Sequence, residues 1–317
     1  MKTGWLIVNE YLDTEKFKEI QRLFIEASDR KNVKLKVHTN AEFAVDLNLG
    51  VAKSKAFEEG MPEFVIFYDK DLALARALEQ MGLELFNCAQ AIEVCDSKVR
   101  TAEYIAAYNR LADESGEPEG VRMPKTFKVP FSYENIGIAE KYKFDFLDSV
   151  ERELSADGKK AYPVIIKESN SSFGMGVHLA HNREEAIELI SKYGNKECLI
   201  QEYMEYASGH DVRLQMVGEK CVCAMMRSND NDFRSNLTNG GKMSSYKPVE
   251  TDIKMAKAVM KCLNLDFAGI DIMHDENGLP VFCEANSNAH FKNLYDLTGI
   301  NTAEYMIDYI LECIGND

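Results

Sequence analysis

The sequence predicts an α/β N-terminal domain built on a small parallel sheet, followed by an α+β region whose sheets are antiparallel. Three observations carry this. Short apolar runs alternate with helix-spaced segments over the first 90 residues, the texture of a parallel α/β unit. From about residue 124 the strands are joined by hairpins instead, with turn signals at Gly218 and at Asn277-Gly278. The length, 317 residues at 45% hydrophobic and 28% charged, suits two domains or one domain with subdomains.

In chain order, WLIVN (5–9), LKVHT (35–39) and EFVIFY (63–68) read as strands, and LELFN (83–87) adds another. Helix spacing runs over 13–29 and 71–81, with Phe17, Ile20 and Phe24 on one stripe. No glycine-rich loop follows the first strand, so residues 1–95 are given no nucleotide site of their own. Residues 95–116 read as a helix capped by Asp96 or Ser97, and DESGEPEG (113–120) as a surface turn. AYPVIIKES (161–169) and KECLIQEYM (196–204) are strands flanking a capped helix, 182–194, that ends at Gly194. A hairpin over 211–227 turns at Gly218, and 252–263 is an amphipathic helix. Two strands around DENG and a helix over 302–314 complete the chain.

Composition excludes several functions. Thirty-seven basic against 52 acidic side chains give a net charge of −15, a poor default for nucleic-acid binding. No run of about 18 apolar residues suggests a membrane span, and the N-terminal apolar stretch turns charged too early for a signal peptide. A soluble, cytoplasmic protein is expected. The eight cysteines contain no CxxC pair, which argues against structural zinc and fits reduced, buried thiols. Cys221 and Cys223 read as same-face residues of a core strand.

The stretch LPVFCEANSNAHF, 279–291, sets Glu284 and Asn286 on one face of an otherwise apolar strand. If Asn277-Gly278 is a two-residue type I′ turn, Asp271 lies directly opposite Glu284. Like charges opposed across a ribbon destabilise it, and three oxygen-bearing side chains on one face suit a hard divalent cation. A solvated polar face is the alternative, and spacing alone does not separate the two. The other face, with Ala268, Ile270, Ile272, Val281, Cys283 and Ala285, reads as core. A longer turn would slip the register and send Asp271 to the wrong side.

Earlier, Lys167 ends an apolar strand and a Ser/Gly loop with Ser171, Ser172, Gly174 and Gly176 follows. Backbone amides of such a loop can cradle phosphate oxygens beside a lysine charge. Neither the P-loop nor the dinucleotide pattern is present, and a plain tight turn is the competing reading. Glu202 could accept hydrogen bonds from a ribose, and Asp211 and Arg213 share a strand face. RSNDNDFRSNLTNGGK (227–242) holds two arginines suited to carboxylate or phosphate; an ordinary polar loop has the same composition.

Taken together, these segments resemble the ATP-grasp superfamily, in particular its RimK-like and glutathione-synthetase-like carboxylate–amine ligases. Asp96-Ser-Lys98-x-x-Thr101 resembles the helix start DKxxT with a serine inserted. Val164-Ile-Ile-Lys167 with the loop to Val177 resembles the nucleotide strand and phosphate loop, and Gln201-Glu202-Tyr203 the hinge. Asp211-x-Arg213, Arg227, Asp232-Phe-Arg234-Ser-Asn236 with Gly240-Gly241, and Asp271, Glu284 and Asn286 complete seven motifs in the family's order. The resemblance covers roughly 96–317 and implies two subdomains whose antiparallel sheets clasp ATP, a small one at about 124–203 and a large metal-binding one at about 204–317.

The resemblance also implies roles. Lys98, Lys167, Ser172, Gly174, Gly176, Gln201, Glu202, Tyr203 and Asp211 would bind ATP. Asp271, Glu284 and Asn286 would hold two Mg2+ ions, for which Mn2+ can substitute, while Arg227, Arg234 and Asn236 would serve the transferred phosphoryl group or the carboxylate. The partners implied are ATP and small-molecule or peptide carboxylates and amines, with no nucleic acid and no membrane; relatives also occur as homo-oligomers. The chain departs where relatives often read Ser-Pro-Gly after the asparagine: here it is Ser287-Asn288-Ala289-His290-Phe291-Lys292. The expected chemistry is amide-bond formation through an acyl phosphate. A small-molecule kinase on the same scaffold and a non-catalytic nucleotide-binding regulator are the rival expectations.

Overall fold

In the computed structural model the described residues are all except 116–119, 132–143, 157, 172–173, 237–239 and 316–317. The chain runs β1 (Thr3–Val8), α1 (Glu15–Arg30), β2 (Lys34–Thr39), β3 (Ala44–Asp46), β4 (Val51–Lys53), β5 (Phe64–Tyr68), α2 (Leu72–Gln80), β6 (Leu85–Phe86) and α3 (Ala89–Asp96). β1 and β5 are apolar on both faces because helices cover both sides. Their sheet has the order β2-β1-β5-β6 and every pairing is parallel, as alternation of apolar runs and helices predicts. The β3–β4 hairpin and α3 are additions that the apolar pattern did not reveal.

Next come α4 (Lys98–Ser115), β7 (Thr126–Lys128), α5 (Phe146–Leu154), β8 (Val164–Glu168), β9 (Val177–Ala180), α6 (Arg183–Tyr193) and β10 (Cys198–Glu202). Asn182 caps α6 by accepting from the Glu185 amide. These four strands form an antiparallel sheet, β7-β10-β8-β9, with α5 and α6 packed into a core of its own around Leu147, Ile166, Ile190 and Ile200. The last part holds β11 (His210–Val217), β12 (Lys220–Ser228), β13 (Lys242–Ser245), α7 (Glu250–Cys262), β14 (Phe267–His274), β15 (Pro280–Asn286), α8 (Lys292–Thr298) and α9 (Thr302–Gly315). Its antiparallel sheet has the order β13-β12-β11-β14-β15. The core does not respect a boundary at residue 95: Met306, Ile307 and Ile310 of α9 pack with Leu23 and Phe24 of α1.

The β14–β15 hairpin corrects two expectations. Its turn is not a two-residue type I′ turn. The Asp275 amide donates to the Leu279 carbonyl at 3.0 Å, and the Gly278 amide to the Asp275 carbonyl at 2.9 Å. Gly278 takes the left-handed φ of 73°. The Asp275 carboxylate selects this longer loop by accepting from the Asn277 and Leu279 amides, both at 2.9 Å. Near the turn the register is therefore slipped, with Ile272 opposite Phe282 and Met273 opposite Val281. An extra residue in β15, Cys283, then restores it, so that Asp271 does face Glu284 and Gly269 faces Asn286. In consequence Phe282 joins Ala268, Ile270, Ile272 and Ala285 in one core cluster; Val281 is buried apart from that cluster, and Cys283 is only half-buried. Cys283 turns instead toward the cavity described below.

Asp252, fully buried in the first turn of α7, ties that helix to the sheet. It accepts from Tyr246 Oη at 2.8 Å and the Val249 amide at 3.0 Å, and His274 Nε2 lies 2.9 Å away. Burial pushes its carboxyl pKa up, but His274, the Val249 amide and Tyr246 outweigh burial and hold it below the usual range. A depressed folded pKa stabilises above the unfolded value of about 3.9, and that stability is lost as pH falls through the folded value. Asp252→Ala is expected to cost about 3 kcal/mol near neutral pH. In urea titrations the gap to the unsubstituted protein should begin to narrow only below about pH 4.

Candidate active site

The site is built on one face of β11, β12, β14 and β15, where the alternating side chains are polar. Arg213, Asp271 and Glu284 occupy one cross-strand row, and Asp211 faces Arg227 in the next. Arg213 donates from Nε and Nη2 to the two Asp271 oxygens at 2.6 and 2.7 Å. Arg227 grips Asp211 at 2.6 and 2.5 Å and reaches Asp271 Oδ2 at 2.8 Å, while Ser235 Oγ donates to Asp211 at 2.6 Å. Asp271 is 2% exposed and Arg227 5%, so these are desolvated charges that need one another. Burial raises the Asp271 pKa, yet Arg213 and Arg227 outweigh it and hold the carboxyl low. Burial likewise works against the Arg227 charge, and Asp271 and Asp211 more than restore it.

Two opposed acids, Asp271 and Glu284, coexist because each has its own cationic neighbour. Glu284 has Lys98 Nζ at 4.0 Å, across from the arginine network. Lys98 opens α4 and donates to the Ser171 carbonyl at 2.7 Å, which anchors the start of the Ser/Gly loop. Burial, with Lys167 and Lys70 nearby, pushes the Lys98 pKa down against the pull of Glu284. Lys167, near the end of β8, donates to Gln201 Oε1 at 2.6 Å, and Gln201 in turn donates to Thr126 Oγ1 at 2.9 Å. Arg234 pairs with Asp232 and donates to the Gly174 carbonyl at 3.1 Å, joining the loop to the large sheet. Glu202 has Lys159 Nζ at 3.2 Å, and Tyr203 Oη donates to Ser208 Oγ at 2.6 Å.

These groups border one cavity of about 540 Å³ between the two antiparallel sheets. Lys98, Lys167, Gly174, Gln201, Glu202, Tyr203 and Asp211 line it, as do Arg227, Arg234, Asn236, Asp271, Glu284 and Asn286. Gly176 stands behind the wall: its carbonyl accepts from the Glu168 amide at 2.8 Å, and a Cβ there would meet Ser171 Cβ at 2.6 Å. Ser172 lies outside the described residues. The sequence reading left out the N-terminal domain, yet Asn9, Lys16, Phe17, Tyr68 and Asp69 wall one end. The available signal was the carboxyl end of β5, since ligands collect at the carboxyl ends of parallel strands.

Asp271, Glu284 and Asn286 could hold magnesium. Two carboxylates and an amide oxygen are hard donors, and all three residues line the same cavity. Among the described residues no group of three or more His, Cys, Asp or Glu side chains could hold a metal by itself. The set thus leaves coordination positions for phosphate oxygens, the usual habit of nucleotide-bound magnesium.

Known proteins resemble the chain in sequence and in fold. The RimK-like ATP-grasp domain matches residues 141–310. A probable alpha-L-glutamate ligase 2 of Shewanella amazonensis is 38% identical over 249 residues, which span 78% of this chain and 72% of that protein. The chain therefore belongs to the RimK-like ATP-grasp family, placing it among the carboxylate–amine ligases. Two solved structures carry the same fold over nearly the whole chain. D-cycloserine synthetase matches with a TM-score of 0.70 at 14% identity, covering 98% of this chain and 99% of that one. D-alanine–D-alanine ligase of Bacillus anthracis in complex with ATP matches with a TM-score of 0.65 at 15% identity, covering 100% and 98%.

Proposed function

We propose that this enzyme uses ATP to join a carboxylate to an amine through an acyl phosphate, with amino-acid or peptide-like substrates. The observation that carries the reading is the convergence of Lys98, Lys167, Arg227 and Arg234 with Asp271, Glu284 and Asn286 on one cavity between two sheets. A free carboxylate is a poor acyl donor because oxide is a poor leaving group. One of its oxygens attacks the γ-phosphorus of ATP, and ADP leaves. The amine nitrogen then attacks the acyl carbon, phosphate departs, and the amine gives up a proton.

Phosphoryl transfer of this kind depends on positioning and on neutralising charge more than on covalent help. Lys98 and Lys167 would hold ATP phosphates, Gln201, Glu202 and Tyr203 the adenosine end, and Asp211 would keep Arg227 aimed at the transferred group. Arg234 and Asn236 would lie beside the carboxylate. Two magnesium ions, or manganese in their place, would sit on Asp271, Glu284 and Asn286; when bound they screen phosphate charge and orient the γ-phosphoryl group. Ser171, Ser172, Gly174 and Gly176 would form the loop that excludes water from the acyl phosphate. We further place the enzyme in the cytoplasm, since all eight cysteines are free thiols and no described helix is long and apolar enough to cross a membrane.

The test is an ADP-release screen over amino acids and short peptides, with mass spectrometry of the products. A new amide formed in step with ADP is the expected result. A stable phosphorylated alcohol would make the enzyme a kinase, and ATP binding without ADP release across the panel would remove the catalytic reading.

A further inference from the structure

Lys98, Lys167, Arg227 and Arg234 all belong to the region after residue 95. A further lysine reaches the same cavity from the N-terminal domain. Lys70 stands between β5 and α2 and lines the cavity together with Lys98 and Glu284. Its backbone is firmly placed. The Lys70 amide donates to Asp69 Oδ1 at 2.7 Å, and Asn9 Nδ2 donates to the same oxygen at 3.1 Å. The Asp69 carbonyl accepts from Asn288 Nδ2 at 2.7 Å, and Asp71 caps α2 by accepting from the Leu74 amide at 3.1 Å. Lys70 thus projects from a fixed point at the carboxyl end of a parallel strand, the position where such sheets present groups to ligands.

The side chain lies beside the groups assigned to the phosphates. Its ammonium pairs with Asp96, the last residue of α3. The Asp96 carbonyl accepts from Asn170 Nδ2 at 3.1 Å, at the entry to the Ser/Gly loop. Lys70 is also close enough to Lys98 to help lower the pKa of that lysine. The cations of the cavity differ in how they are engaged. The Lys98 side chain is 14% exposed, donates to the Ser171 carbonyl and has Glu284 at 4.0 Å. Lys167 donates to Gln201, and Arg227 is gripped by Asp211 and Asp271. The Lys70 side chain, in contrast, is 50% exposed, and its partner Asp96 is 31% exposed. Such a solvated pair stabilises little. A terminal phosphoryl group carries more charge and more acceptor oxygens than one carboxylate, so it can draw the ammonium away from Asp96.

We propose that Lys70 is a further catalytic residue of the phosphoryl-transfer step: when ATP binds, its ammonium leaves Asp96 and donates to an oxygen of the γ-phosphoryl group. The N-terminal domain thereby completes the charge neutralisation that Lys98 and Arg227 supply from the other side of residue 95. Lys70 transfers no proton and forms no covalent bond; it stays with the phosphoryl group as that group passes from ADP to the carboxylate. Asp96 is the resting partner of the side chain between turnovers. This inference rests on the ligase reading, and it adds to that reading a residue from a domain given no nucleotide role.

The experiment compares Lys70→Met, Lys70→Arg and Asp96→Asn with the unsubstituted full chain. Binding of ADP and of AMPPNP, an ATP analogue that keeps the γ-phosphoryl group, is measured by calorimetry with magnesium, and turnover by ADP release. Lys70→Met should weaken AMPPNP about tenfold and ADP by less than about twofold, and should lower kcat on the order of 100-fold. Lys70→Arg should recover part of both losses. Asp96→Asn breaks the same pair but keeps the ammonium, so its kcat should stay within about threefold, and every thermal midpoint within about 4 °C. The proposal is overturned if Lys70→Met weakens ADP as much as AMPPNP, or weakens neither. It is equally overturned if Asp96→Asn loses as much turnover as Lys70→Met, since the pair would then be a structural strap. Failure of the ligase reading would appear separately, as absent ADP release by the unsubstituted enzyme, while the comparison of AMPPNP with ADP would still report on Lys70.

Discussion

Glu284→Gln is expected to lower magnesium-dependent ADP release by more than about a hundredfold, the upper range for disturbing even an outer partner of a metal ligand. The fold should hardly notice. The Glu284 side chain is 34% exposed and its nearest cation, Lys98, stands 4.0 Å away, so the change resembles a partly exposed substitution worth within about 0.5 kcal/mol. Activity and thermal midpoint measured on the same preparation separate the two effects. Asp271→Ala gives the contrasting result, because it leaves the half-buried Arg213 without its carboxylate and the buried Arg227 with Asp211 alone. Its activity and stability should fall together. Full ADP release by Glu284→Gln would remove the proposed metal site.

Arg227→Ala is expected to destabilise the protein by about 3–5 kcal/mol, the usual cost of breaking a buried ion pair from one side. Arg227 alone spans Asp211 and Asp271, with contacts between 2.5 and 2.8 Å, and its loss leaves both carboxylates short of positive charge. A drop in the urea midpoint at unchanged slope is the readout. Arg227→Lys should recover little, since an ammonium cannot supply the forked, in-plane contacts to two acids at once. A variant with unaltered stability would mean that the arginine is held for its chemistry alone.

The parallel and antiparallel sheets were legible because period-two and helical spacing are properties of local sequence. The pairing of Asp271 with Glu284 was legible for a less secure reason. The turn is one residue longer than Asn277-Gly278 suggests, and the bulge at Cys283 cancels the slip. Neither deviation has a strong local signal: the first depends on Asp275 capping two amides, the second on which residue the core prefers. That Lys16, Asp69 and His290 line the cavity was hidden more deeply. It arises from the docking of the N-terminal domain against the segment after β15, a contact between residues over 200 positions apart in the case of Asp69 and Asn288. Periodicity does not report such distances.

The path of α9 back to α1 has a mechanical consequence. Phe267 of the large sheet, Phe64 of the parallel sheet and Met306 of the last helix share one apolar interior, which makes those layers a single block. The sheet carrying Lys167 and the Ser/Gly loop keeps a separate interior. Any displacement of the smaller body would thus reshape the cavity while leaving both interiors intact, as a jaw moves against a skull.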